Sequence, residues 1–71
     1  MTIYTLRDRL RGGRTVRVGE DEIVATVAAW LAELGVRSPL VESLGWALRH
    51  GDWPAAYVIA DFLSVDVAVA A

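Results

Sequence analysis

The chain has no cysteine, lysine, asparagine or glutamine, and it has one histidine. Without cysteine, disulfides, zinc fingers with thiolate ligands and thiol nucleophiles are all excluded. No apolar run approaches the roughly 20 residues that a membrane-spanning helix needs, and the N-terminus lacks the apolar segment of a signal peptide. We therefore expect a cytoplasmic protein that makes no contact with a membrane.

What the sequence does contain is a large share of apolar residues in a short chain. At 71 residues it predicts one domain, residues 1–71, and leaves no room for a second. A domain of this size buries only about 60% of the surface that its unfolded chain exposes. Because 55% of the residues are hydrophobic, the chain is predicted to be folded and to have a dense core, or one shared with a partner.

The composition also has a marked bias. All seven basic residues are arginine, and alanine and valine together occupy 21 positions. Arginine and alanine have GC-rich codons, whereas the missing lysine and asparagine have AT-rich ones. In size and composition the chain resembles the short orphan proteins of actinobacteria and of their phages. This resemblance implies no particular mechanism.

The charge is divided unevenly along the chain. Residues 1–17 carry five arginines against Asp8 alone, a net charge of +4, whereas residues 18–71 carry a net charge of −6. Such an asymmetry can mark a basic arm that binds nucleic acid. The alternative is that the arginines solvate a small surface and pair with the acids at 20–22. The candidate nucleic-acid-binding residues are Arg7, Arg11, Arg14, Arg17, Arg37 and Arg49.

Residues 2–18 allow two interpretations. In the first, a strand at 2–5 is followed by a short helix from Thr5 through Arg11, with Asp8 in its capping box, and then by a strand at 15–18. In the second, residues 2–18 form a single hairpin with Gly12-Gly13 at its turn. Both interpretations stay open at this point.

Three helices are predicted after residue 20. The first begins at Asp21 and ends before Gly35, the second begins at the cap Ser38-Pro39 and runs to about His50, and the third is capped by Asp52. A strand at 65–70, pairing with residues 14–18, would complete a mainly helical α+β domain with a two- or three-stranded sheet. The apolar residues predicted to point inward are Ile23, Val27, Trp30, Leu31, Leu34, Leu40, Val41, Leu44, Leu48, Val58, Ile59, Phe62 and Leu63.

The sequence has little that could carry catalysis. His50 stands alone, with no second histidine or acidic partner at the spacing of a metal site. Gly12-Gly13 with Arg14 does not match any phosphate-binding loop. We therefore expect a protein that is not an enzyme and has no metal site and no cofactor.

Residues 31–44 resemble the turn region of helix-turn-helix DNA-binding domains, with Gly35 at the turn and Val36 filling the helix junction. The resemblance implies a small DNA-binding regulator that places residues 38–50 in the groove and the N-terminal arginines on phosphates. The segment departs from the pattern at Leu31, where a small residue is expected. Its outward face also offers few donors for base edges or phosphates.

The aromatic residues indicate a protein interface instead. On its helix Trp30 lies on the inward face, whereas Trp46 lies on the side opposite Leu44 and Leu48. Large aromatic side chains ringed by charges are typical anchors of protein interfaces. We therefore expect a protein-interaction module, in one form a phage protein acting on a host protein, whose partner is another protein or a second copy. Because the apolar content exceeds what one small core needs, we expect a homodimer at micromolar concentration, buried through the last helix. Trp53 and Tyr57 form a ridge that either joins this interface or covers the N-terminal strands. The candidate protein-binding residues are Glu42, Trp46, Arg49, His50, Trp53 and Tyr57.

Overall fold

The basic N-terminal segment forms a β-hairpin in the computed structural model, which describes residues 2–10 and 12–70. Strand β1 spans Ile3–Asp8 and pairs antiparallel with strand β2, Arg14–Gly19. Gly12 and Gly13 have positive φ angles of 69° and 76°, which the turn between the strands requires and glycine tolerates. The hairpin interpretation is confirmed, and the interpretation with a helix from Thr5 is wrong.

The third strand joins the sheet on the other side of β1. Strand β3, Val65–Val69, runs antiparallel to β1 with Leu6 opposite Val67, so the order of strands is β2-β1-β3. The predicted pairing of the C-terminal strand with residues 14–18 is therefore wrong. The central strand is β1, which contributes the buried side chains of Tyr4 and Leu6, and β2 and β3 are the two edge strands.

Three helices cover one face of this sheet, as the sequence predicts, and the α+β class is confirmed. Their ends follow local capping signals. The Ser38 hydroxyl accepts a 3.2 Å hydrogen bond from the amide of Leu40, and the Asp52 carboxylate accepts one of 3.3 Å from Ala55. Gly35 has a φ angle of 71° after the first helix. The helices are α1 Ile23–Glu33, preceded by a 3₁₀ turn at Glu20–Glu22, α2 Leu40–Arg49 and α3 Trp53–Phe62.

The core lies between the helices and the inward face of the sheet, and it contains most of the residues expected there, including Trp30. Four predicted core residues are nevertheless exposed. Helix α3 buries the small residues Ala56 and Ala60 instead, since it packs closely against α2 and β3. Because nearly all residues of α3 are apolar, its periodicity did not identify the inward face. The exposed residues are Leu34, Leu40, Val58 and Phe62.

Helices α1 and α2 approach each other closely at Gly45. A Cβ atom at this position would lie 2.5 Å from Cγ2 of Val24. The absence of a side chain at Gly45 therefore sets the position of α2, and with it the direction of the next residue, Trp46.

Across residues 2–10 and 12–70, no helix combines the length and the apolar character that crossing a membrane would require.

Candidate functional site

An open groove lies between α2 and α3, and Trp46 stands at its edge. The groove has a volume of about 510 Å³, and the indole of Trp46 is about half exposed. Its floor is made of small and aliphatic side chains, because both helices place such residues where they face each other. The lining residues are Glu42, Ser43, Trp46, Ala47, Arg49, Ala55 and Ile59.

The indole of Trp46 is held in place by His50, one helical turn further along α2. The two rings stack with centroids 4.1 Å apart and planes inclined by 20°. Nδ1 of His50 lies 2.8 Å from the backbone carbonyl oxygen of Trp46, which accepts its hydrogen bond. The stacked ring restricts the rotation of the indole, so a partner would meet an aromatic surface that is already ordered.

The six residues expected at a protein-binding surface are only partly brought together. Glu42, Trp46 and Arg49 line the groove, and His50 supports it from the rim. Trp53 and Tyr57 lie outside the groove lining.

Trp53 packs on the sheet instead. It is partly buried, and its ring centroid lies 6.1 Å from that of Tyr4 in β1. Burial raises the pKa of the Tyr4 phenol above its ordinary value, as does the nearby charge of Glu20. The ring centroids of Tyr57 and Trp53 lie 5.4 Å apart, and Tyr57 is 56% exposed. Trp53 therefore follows the alternative in which it covers the N-terminal strands, and Tyr57 remains a surface residue.

Arg14, a candidate phosphate ligand, is held inside the molecule's own ion-pair network. Its Nη2 atom lies 2.8 Å from Oδ2 of Asp8 and 3.2 Å from Oε2 of Glu33. The guanidinium also lies 5.3 Å from the ring centroid of Trp30. Hydrogen bonds to Asp8, and then to Glu33, raise the pKa of Arg14 above its ordinary value. Arg14 thus fastens the hairpin to α1, and Asp8 is a buried ion-pair partner rather than a helix cap.

The other candidate arginines occupy separate parts of the surface. Arg7 and Arg17 project from the outward face of the sheet, opposite to the helices. Arg37 lies in the loop between α1 and α2, and Arg49 lies at the end of α2. Arg11 lies outside the described residues. The described arginines therefore form no single basic stripe.

The segment that resembles a helix-turn-helix has a long connection, the six residues 34–39 between α1 and α2. Val41 and Leu44 face the core, as their spacing on the helix predicts. Val36 is 44% exposed, so the expectation that it fills the helix junction is wrong.

A second apolar surface lies at the other end of the helices. We call it the Phe62 patch. It surrounds a groove of about 410 Å³, and its most prominent member is Phe62, 77% exposed. The signal for it in the sequence is the excess of apolar residues on α3, more than one core-facing side can use. The exposed members are Leu10, Leu34, Val36, Leu40 and Phe62.

Among residues 2–10 and 12–70, no three side chains of histidine, aspartate or glutamate are grouped as a metal ion would require. The carboxylates near β1 and α3 pair with arginines: Arg9 contacts Asp61 at 3.0 Å and Asp66 at 3.4 Å. These pairs link the hairpin turn to α3 and β3.

Comparison with known proteins identifies relatives in Mycobacterium tuberculosis. The chain is 58% identical over 69 residues to two Mycobacterium tuberculosis proteins, MT2703 of strain CDC 1551 / Oshkosh and Rv2628 of strain H37Rv, both described as uncharacterized. The similarity covers 97% of this chain and 58% of each relative, so the chain spans less than two thirds of their length. No solved structure matches the chain. The relatives come from a GC-rich actinobacterium, as the composition predicts. The sequence profile of the Rv2628 protein family matches residues 1–68, and the chain belongs to that family.

Proposed function

We propose that this domain is a non-enzymatic protein-interaction module that binds an apolar segment of another protein in the groove between α2 and α3. The observation that carries the proposal is the half-exposed indole of Trp46, stacked on His50 at the edge of an open groove. Tryptophan is enriched among the residues that dominate the energy of protein interfaces. An indole that is already ordered also loses less conformational entropy on binding.

The groove indicates which kind of segment would fit. Ala47, Ala55 and Ile59 give it an apolar floor, and its volume of about 510 Å³ has room for large side chains. Glu42 and Arg49 carry opposite charges at its edge, so they can orient a partner that has the complementary charges. We therefore expect a segment with large apolar side chains flanked by one basic and one acidic residue.

The proposal includes where the module acts and on what. We expect the module to act in the cytoplasm, and a phage protein that binds a host protein is one form that the proposal takes.

A small DNA-binding regulator is the second candidate. The observation in its favour is that Arg7 and Arg17 lie together on the outward face of the sheet. That face is opposite to α2, which carries Arg49, so these arginines and α2 would not contact the same stretch of DNA. Arg14 is less available for phosphates because it pairs with Asp8 and Glu33.

The proposal is tested by selecting peptides from a random display library on the immobilised domain. We expect selected peptides to carry large apolar side chains and to bind Trp46→Ala at least about tenfold more weakly, a loss of about 1.4 kcal/mol. Tyr57→Ala is the matched control, because Tyr57 is a comparably exposed aromatic residue outside the groove. Its affinity for the peptides should equal that of the wild type. Equal binding to Trp46→Ala and wild type would refute the proposal.

A salt titration separates the two candidate functions. Binding of a DNA duplex weakens steeply as salt rises, because phosphate contacts release counterions. Binding of an apolar peptide in the groove should change little between low and high salt. A duplex bound with a steep salt dependence, and no selected peptide, would favour the regulator.

A further inference from the structure

We propose that two copies of this chain associate through the Phe62 patch. This surface is separate from the groove at Trp46, and the proposal does not depend on what that groove binds. It concerns the five exposed apolar side chains around the second groove and the helix α3 that carries Phe62.

The patch brings together residues from distant parts of the chain. Leu10 comes from the turn between β1 and β2, Leu34 and Val36 from the loop after α1, Leu40 from the start of α2, and Phe62 from the end of α3. Their exposed fractions range from 37% to 77%. Monomeric proteins rarely expose contiguous apolar surfaces beyond a few hundred Å². The arrangement therefore indicates a surface that a partner covers.

The shape of the patch favours a second copy as that partner. Phe62 projects at the rim, and the groove beside it, of about 410 Å³, is larger than a phenyl ring. Because each copy has both a projecting ring and a groove on the same patch, two copies related by a two-fold axis can fit together. With the axis beside Phe62, the ring of each copy enters the groove of the other.

The groove of the Phe62 patch carries little charge. Among the described residues that line the groove, Arg37 is the only charged one, so the centre of the interface would be apolar. Charged residues are depleted from the centre of protein interfaces.

The area is also sufficient for a small dimer. Val58 lies one helical turn before Phe62 and is 58% exposed. Together with the patch it exposes on the order of 600 Å² per copy, which is what each partner contributes to the smallest stable interfaces. Val58 and Phe62 lie on one exposed side of α3, away from the buried Ala56 and Ala60, so the helix has more apolar surface than its own core covers. The dimer would bury that exposed side.

The test is the molar mass in solution, measured by light scattering and sedimentation equilibrium across micromolar concentrations. We expect the wild type to change from 7.7 kDa to twice that mass as concentration rises. Phe62→Ser should raise the dissociation constant at least tenfold, and Leu10→Ser, on a different element of the same patch, should raise it as well.

Two controls make the result decisive. Circular dichroism melts at low concentration should show that both variants fold, because the replaced side chains are mostly exposed. Trp46→Ser should dimerise like the wild type, since Trp46 lies outside the patch. A wild type that stays at 7.7 kDa at every concentration would overturn the proposal, as would folded Phe62→Ser and Leu10→Ser variants that associate as strongly as the wild type.

Discussion

At the scale of single residues, two tryptophans on neighbouring helices have opposite surroundings. Trp30 on α1 is 8% exposed and lies under the guanidinium of Arg14. Trp46 on α2 is 53% exposed and contacts His50. The sequence distinguishes the two correctly, because the angular position of a side chain on a helix depends only on spacing along that helix.

The same contrast gives a prediction about stability. Trp30→Ala should lower the free energy of unfolding by about 3–5 kcal/mol, since it leaves a cavity in the core. That loss is close to the whole stability of a domain this small. Trp46→Ala should lower it by less than about 1 kcal/mol, because half of the indole is already in water. Thermal melts followed by circular dichroism measure both losses. A Trp46→Ala variant that melts as low as Trp30→Ala would show that Trp46 has a structural role.

At the scale of helices and strands, local signals predicted most of the fold. The caps at Ser38 and Asp52 act within a few residues, so the positions of α2 and α3 could be inferred from sequence. The partner of β3 depends on how distant segments meet, and the sequence alone placed it beside the wrong strand. The exposed side of α3 was missed for another reason, since a helix in which nearly all residues are apolar has only a weak periodic signal.

The candidate site likewise has one part that the sequence predicted and one that it did not. The wall formed by α2, with Glu42, Trp46 and Arg49, was predicted from the spacing of residues on that helix. The opposite wall, Ala55 and Ile59, was not, because it depends on how α3 lies against α2. The Phe62 patch depends on four chain segments meeting. The sequence predicted an interface on the last helix, but it could not identify the residues that the other three segments contribute.

The close approach of α1 and α2 can be tested at Gly45. Replacing it with alanine favours the helical conformation by about 1 kcal/mol. The new Cβ atom would, however, overlap with Val24, and overpacking of this kind costs about 1–3 kcal/mol. We expect Gly45→Ala to lower the free energy of unfolding by about 1 kcal/mol. In the double variant with Val24→Ala the overlap disappears, so the two substitutions should together cost less than the sum of their separate effects. Denaturant titrations of the four proteins give the coupling, and strictly additive effects would contradict this account of the contact.

At the scale of the whole molecule, three surfaces differ in character. The outward face of the sheet is polar and carries Arg7 and Arg17. The groove at Trp46 is apolar with opposite charges at its edge, and the Phe62 patch is apolar with Arg37 at its margin. The patch and the groove at Trp46 share no lining residue.

Binding of another protein in the groove at Trp46 would change the surroundings of the residues that line the groove. Chemical-shift mapping by NMR tests it most directly, with the ¹⁵N-labelled domain titrated in turn with the most strongly selected display peptide and with a DNA duplex. We predict that the peptide shifts the indole signal of Trp46 and the amide signals of Ala55 and Ile59, while the amides of Arg7 and Arg17 do not move. A peptide that leaves the Trp46 indole signal unchanged, or a duplex that alone produces shifts and does so at Arg7 and Arg17, would contradict binding in this groove.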